Sequence, residues 1–357
     1  MERRMRQEPS DSSHGQDRAP VAEPVHRAMK QPAEDAVLER VGPTARGASV
    51  AGSQGPSGKL ACDGAKPFAP GPGEILVRVQ ACGVSRVEHA LSTGAVGGLF
   101  PGGAPYIGGM DAAGTVIATG ARVTRFAVGD EVFGHFAAES WRWAQAPCAR
   151  TAADGANIER RPEGLDPLAA AALAEAGLTA KTLFRAVEPH RGQTAVVIGA
   201  TSGPGTVLVP LLAEAGVHVI AAATPGDAAY VCSLGAAETY EYSIGDPVGD
   251  ALVRHPGVEL VVDLVTFDEP YFITPGATQG TIVTALPATE ADADGEGLGV
   301  PRVRISAEPG DLAALIRRAL DGSRPVELGR LYSLQEVGRA LPFTGAPPES
   351  PALALAG

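Results

Sequence analysis

At 357 residues, with 45% hydrophobic and 20% charged residues, the chain is long enough for about two domains with a sizeable core. A formal charge of −12 excludes the basic stripe expected of a nucleic-acid binder, and no apolar run reaches the roughly 18 residues of a membrane span. The four cysteines, Cys62, Cys82, Cys148 and Cys232, form no C-x-x-C pair, which argues against a disulfide framework or zinc knuckle and suits a reduced, cytoplasmic protein.

Residues 1–35 are rich in Arg, Gln, Ser, Asp and Pro without periodicity and read as a disordered leader; the apolar segment of a signal peptide does not follow Arg3 and Arg4. Thr44–Gly58 reads as a flexible loop between two weak strands. Glu74–Ala81 alternates apolar and polar residues as a half-buried strand does, and Gly114–Ala118 and Asp130–Phe133 are further short strands. Asp166 followed by Pro167 marks the start of a helix through Ala176. Beyond it, Ala195–Ile198, Val217–Ala222, Leu260–Asp263 and Thr281–Ala285 are strand candidates, with helical stretches between the first three, and Leu312–Leu320 is a further helix. This alternation predicts a doubly wound parallel sheet in the second half.

Ala195–Gly205, A-V-V-I-G-A-T-S-G-P-G, is an apolar run entering a glycine-rich turn, continued by a helix-like Thr206–Ala215. That is the layout of a dinucleotide-binding crevice, where backbone N–H groups and a helix dipole hold a pyrophosphate. Two prolines work against it. Pro204 has no N–H to offer an anion, and Pro210 predicts a kink costing ~3 kcal/mol or more inside the helix.

Six segments in this order resemble the medium-chain dehydrogenase/reductase superfamily, and within it the zinc-free quinone-oxidoreductase-like branch. They are P-G-P-G-E-I-L-V-R-V-Q-A-C-G-V (Pro70–Val84), G-G-M-D-A-A-G-T-V (Gly108–Val116), R-F-A-V-G-D-E-V-F-G (Arg125–Gly134), A-L-A-E-A-G-L-T-A (Ala172–Ala180), the glycine-rich turn, and S-L-G-A-A (Ser233–Ala237). The resemblance implies an α/β protein with an N-terminal GroES-like β-barrel domain over 36–165, a Rossmann doubly wound parallel sheet over 166–310, and an active-site cleft between them. A C-terminal segment, 311–357, is expected to return toward the catalytic domain, with Ala352–Ala356 loosely similar to the family's closing strand.

Where zinc-dependent relatives carry a cysteine and a histidine-glutamate pair, this chain has Ser85, Met110 and Asp111, and a later ligand position holds Glu175. The donors of a tetrahedral zinc site are thus missing, and no metal is expected. The resemblance sets Gly199, Ala200, Thr201, Ser202, Gly203 and Gly205 against the pyrophosphate, Thr179 at the nicotinamide end, and Thr224 and Tyr242 near a 2′-phosphate. The second strand ends Ala221-Ala222-Ala223-Thr224 with no carboxylate for a ribose 2′-hydroxyl, Asp227 falling later in the loop, which tilts the expected cofactor to NADPH. Ala228 replaces a lysine that many NADPH-using relatives carry. Phe267, in a place of small glycines, either packs against the cofactor or fills its space, so loss of the cofactor stays open.

His89 is the expected proton donor, near neutral pH, with Ser85 and Glu88 to orient it. His135 follows a strand end that reaches the cleft in relatives. Trp141 and Trp143, the two tryptophans, share a strand face by their spacing and either stack a planar substrate or belong to the core. Asp111 and Glu175 are a candidate carboxylate pair, and Asp263 reads as a strand-end residue making local hydrogen bonds. The leading expectation is a zinc-independent, NAD(P)H-dependent oxidoreductase that reduces a quinone, an enone or a related unsaturated carbonyl compound. The alternative is a redox-inactive protein of the same fold that cyclises or rearranges a hydrophobic biosynthetic intermediate. Either takes a small hydrophobic molecule as its partner, and relatives commonly form homodimers through an edge of the Rossmann sheet.

Overall fold

The computed structural model describes residues 47–50, 60–63, 70–84, 111–136, 148–241, 247–265, 281–284, 303, 306–321, 331–333 and 353–356. β1 (Gly47–Val50) and β2 (Leu60–Asp63) form an antiparallel pair. The first sheet is built on the alternating run that becomes β3 (Glu74–Val84). One edge of β3 pairs with β4 (Asp111–Thr119), which pairs in turn with β5 (Glu131–His135) and then β7 (Ile158–Arg160). The other edge is shared: β6 (Cys148–Ala152) takes Glu74–Arg78, and β14 (Leu353–Ala356) takes Ala81–Val84. β13 (Leu331–Ser333) extends the sheet beside β14. Register shifts at Leu76/Val77 and Val79/Ala81 bulge β3 and increase its local twist, which curls the sheet as a half-barrel requires.

The second sheet is parallel, in the order β10 (Glu238–Tyr240), β9 (His218–Ala222), β8 (Thr194–Ile198), β11 (Leu260–Asp263), β12 (Thr281–Thr284). Chain order therefore reverses at β8, between β9 on one side and β11 on the other. Ligands bind at such a switch point, beyond the carboxyl ends of the strands. Both faces of the sheet are covered. Val197, Val219, Ala221 and Val262 pack into one core, and Val196, Ile198, Ile220 and Val261 into another, so these strands read as apolar runs rather than as alternation.

The helix α1 (Pro167–Val187) carries both halves of the molecule. Asp166 caps it, its carboxylate accepting from the Leu168 N–H at 2.8 Å, and Pro167 fits the first turn, where no intrahelical N–H is needed. Ala170, Ala171, Ala174 and Leu178 pack with Ala81, Ala113 and Phe133 of the first sheet, whereas Ala180 and Leu183 belong to the core of the second. The helix runs well past the expected end at Ala176. Gly177 does not stop it, because its bare backbone lets Leu315 of α5 (Asp311–Leu320) approach; a Cβ at Gly177 would stand 2.3 Å from Leu315 Cδ1. The other helices are α2 (Gly203–Glu214), α3 (Ala228–Ser233) and α4 (Pro247–Arg254). Among the described residues no helix is long and apolar enough to cross a membrane.

Candidate functional site

At the switch point β8 ends on Ile198, and Gly199 turns the chain at φ +82, a conformation that favours glycine. A Cβ there would also lie 2.6 Å from Val265 Cγ1. The Ser202 N–H bonds to the Gly199 carbonyl at 2.8 Å and closes the turn. Ser202 then caps α2, its Oγ accepting from the Gly205 N–H at 3.2 Å. Gly205 lies directly against the turn, since a Cβ on it would stand 2.2 Å from the Gly199 carbonyl oxygen. Ala200 and Thr201 are buried.

These bonds decide how many N–H groups remain for an anion. Those of Ser202 and Gly205 are engaged and Pro204 has none, so in the first turn the Gly203 N–H is the one without a partner among the described residues. The positive end of the α2 dipole adds to it. The helix starts at Gly203, three residues before the expected Thr206, and Pro204 therefore sits in its first turn, where no helical bond is lost. Pro210 lies inside α2, and the helix continues through it to Glu214, so the expected kink does not break the element.

Thr179 lies on α1 between Leu178 of one core and Ala180 of the other. It is 2% exposed, and its Oγ1 has no hydrogen-bond partner among the described residues. A buried hydroxyl is rarely left so, and a polar group brought by a ligand would satisfy it. β11 ends beside the turn: the Leu264 N–H bonds to the Ile198 carbonyl at 3.0 Å, and the buried Asp263 accepts from the Val265 N–H at 2.9 Å, the local bond expected of it.

Past the end of β9, Thr224 Oγ1 donates to Asp227 Oδ2 at 2.6 Å, and the Asp227 N–H bonds to the Thr224 carbonyl at 3.0 Å. Asp227 lies later in the loop, as expected, and the turn folds its carboxylate back onto Thr224. The Pro225-Gly226 dipeptide is the turn signal from which this return was readable.

In the first sheet, Asp111 and His135 are register partners at the start of β4 and the end of β5. His135 Nδ1 lies 2.8 Å from Asp111 Oδ1, with side-chain exposures of 18% and 6%. A carboxylate only accepts, so Nδ1 donates and the ring is held in one orientation. A Cβ at Gly83 would lie 3.4 Å from Asp111 Cβ and 3.8 Å from the Ala171 carbonyl, which places the pair beside the first half of α1. Asp111 thus pairs with His135; the side chain of Glu175, its expected partner, lies outside the described residues, as do Ser85, Glu88, His89, Met110, Trp141, Trp143, Tyr242 and Phe267. Among the described residues no three His, Cys, Asp or Glu side chains gather as a metal site. The positive-φ turn, the close approach at Gly205, the Gly203 N–H and the orphaned Thr179 hydroxyl fit a dinucleotide.

Residues 71–182 match the alcohol dehydrogenase GroES-like domain. The chain is 30% identical to a trans-enoyl reductase of Aspergillus terreus over 60% of its length and 62% of the relative's. It is 32% identical to a quinone oxidoreductase of Pseudomonas aeruginosa over 50% of its length and 53% of the relative's, so it spans less than two thirds of either protein. The quinone oxidoreductase of Coxiella burnetii shares the fold, with a TM-score of 0.73 at 21% identity over 87% of this chain and 99% of that one. The GroES-like match, the related sequences and the paired antiparallel and parallel sheets are similar to those of quinone-oxidoreductase-like proteins of the medium-chain dehydrogenase/reductase superfamily and support that family for the chain.

Proposed function

We propose that this protein binds a nicotinamide dinucleotide at the switch point and reduces a quinone, an enone or a related α,β-unsaturated carbonyl compound without zinc. The observation that carries this reading is the glycine turn at the start of α2 together with the orphaned hydroxyl of Thr179. When bound, the dinucleotide supplies hydride, and the protein's task is orientation and exclusion of water. In this reading the Gly203 N–H and the α2 dipole hold the pyrophosphate and Thr179 Oγ1 bonds to the nicotinamide end. His89, oriented by Ser85, gives a proton to the reduced substrate. His135, fixed by Asp111, lines the substrate side, and Trp141, Trp143 and Phe267 supply apolar walls. The substrate class is supported by the relatives, one a trans-enoyl reductase and one a quinone oxidoreductase.

Titration of the full chain with NADH and NADPH by protein fluorescence, then with a quinone or an enone in the presence of a chelator, tests this. Micromolar binding and chelator-resistant, substrate-dependent oxidation of the nucleotide are expected. No binding at millimolar nucleotide overturns the reading. It would favour the redox-inactive alternative, a cyclisation or rearrangement, for which one observation speaks: Pro204 and the Ser202 cap leave a single N–H in the first turn of α2 without a partner among the described residues.

A further inference from the structure

Three contacts fix His135 at the end of β5. Its N–H bonds to the Asn157 carbonyl at 2.9 Å, Asn157 Nδ2 donates to its carbonyl, and its Nδ1 donates to Asp111 Oδ1 at 2.8 Å. Backbone and ring are both held in place, as a group that transfers a proton must be. The Asp111 side chain is 6% exposed and that of His135 18%. The carboxylate thus supports the ring from the buried side, and the ring is the member of the pair nearer to what enters the cleft. With Nδ1 committed to Asp111, proton exchange with a ligand runs through Nε2, and Asp111 offsets the charge of the ring in its protonated form.

The helix α1 relates this pair to the orphaned hydroxyl of Thr179. A Cβ on Gly83 would lie 3.4 Å from Asp111 Cβ and 3.8 Å from the Ala171 carbonyl, so Gly83 brings Asp111 and the Ala171 turn of α1 together. Thr179 lies further along the same helix, about 12 Å up the axis from Ala171 and roughly a quarter turn around it. Its buried Oγ1, without a partner among the described residues, calls for the polar end of a ligand. A nicotinamide ring at Thr179 and a small unsaturated carbonyl compound beside it extend from there toward the imidazole.

Quinones and enones need their proton in different places. A reduced quinone takes it on oxygen, the part given above to His89, whereas an enone that receives hydride at Cβ becomes an enolate and takes its proton on Cα. We infer that His135, held by Asp111, is the acid that protonates Cα of an enone substrate. This rests on the reduction reading above and adds to it a second catalytic residue, with Asp111 as its positioning residue. The electron pair of the enolate C=C bond forms the Cα–H bond with the Nε2 proton, the C=O bond is restored, and the N–H pair stays on the ring. His135 is left neutral, its Nδ1–H still on Asp111, and solvent returns the Nε2 proton. Hydride from the dinucleotide and this proton account for both hydrogens added.

The test is reduction by the full chain, in heavy water with NADH or NADPH, of an enone methylated at Cα and, separately, of a benzoquinone. The parent is expected to give a saturated ketone carrying deuterium at Cα in a single configuration. His135→Gln should lower the ratio of enone to quinone turnover by about a hundredfold, the scale of a lost general acid, and give both configurations at Cα. Asp111→Asn, which keeps an acceptor for Nδ1 and removes the charge, should lower the ratio less and keep the single configuration. Both configurations from the parent, quinone turnover without enone turnover in the parent, or a ratio and configuration unchanged in His135→Gln overturns the inference and leaves the reduction reading standing. Turnover of neither probe by the parent overturns both.

Discussion

Asp111 and His135 face each other across neighbouring antiparallel strands, Oδ1 to Nδ1 at 2.8 Å, with the carboxylate the more deeply buried of the two. The pair joins the start of β4 to the end of β5 beside α1, the helix that also enters the parallel-sheet core.

Removing one partner should strand the other. His135→Ala leaves a carboxylate buried without its donor, and a loss of about 1–3 kcal/mol is expected on that ground. The double variant Asp111→Ala/His135→Ala should lie closer to the parent than the two single losses added together. Urea unfolding of all four proteins measures this, and strict additivity would refute a coupled pair.

Gly205→Ala should disturb both fold and site. Its Cβ would stand 2.2 Å from the Gly199 carbonyl oxygen, so α2 must move away from the turn. A destabilisation of about 1–3 kcal/mol, typical of overpacking, is expected, with weaker nucleotide binding because the Gly203 N–H moves with the helix. A variant with the parent's melting temperature and affinity would show that the contact is not tight in solution.

Some of this was legible in the sequence for identifiable reasons. Leu260–Asp263 was bounded correctly because a strand covered on both faces reads as an uninterrupted apolar run, and Asp166-Pro167 announced α1 by cap chemistry. Its end was missed because Gly177 reads as a breaker in sequence, and only the packing of Leu315 explains why it is not one. β10 is three residues, Glu-Thr-Tyr, too short for periodicity to reveal. Asp111–His135 was invisible as a pair because it depends on the register of two strands. Thr224–Asp227 was missed although Pro225-Gly226 signalled the turn that brings the two together.

Acid should find the first sheet through Glu131. Burial pushes its carboxyl up, but hydrogen bonds from Thr115 and Arg161, at 2.6 Å each, and the charge of Arg161 together hold it below the ordinary 4.5. A carboxyl depressed in the folded state stabilises fully above its unfolded value, and that contribution is lost as pH falls through the folded one. Between about pH 5 and about pH 3 the melting temperature of the parent should therefore fall more steeply than that of Glu131→Gln. At neutral pH the parent should be the more stable of the two. Parallel melting curves across the range would remove Glu131 from the account.

Thr179→Val separates a structural role from a ligand-binding one by the sign of its effect. The substitution keeps the branched shape at a buried position and removes a hydroxyl that has no partner among the described residues. If that hydroxyl only fills space, losing it relieves an unmet desolvation cost, and stability should rise by up to about 1 kcal/mol. If it also bonds to the nicotinamide end of a dinucleotide, nucleotide affinity should fall by about tenfold, the worth of one well-made hydrogen bond. The expected outcome is both at once: a more stable free protein that binds nucleotide less well. Calorimetric melting with and without nucleotide reads the two effects on one sample. A loss of stability would mean that Thr179 Oγ1 has a partner within the fold, and unchanged affinity would move the nicotinamide end away from α1.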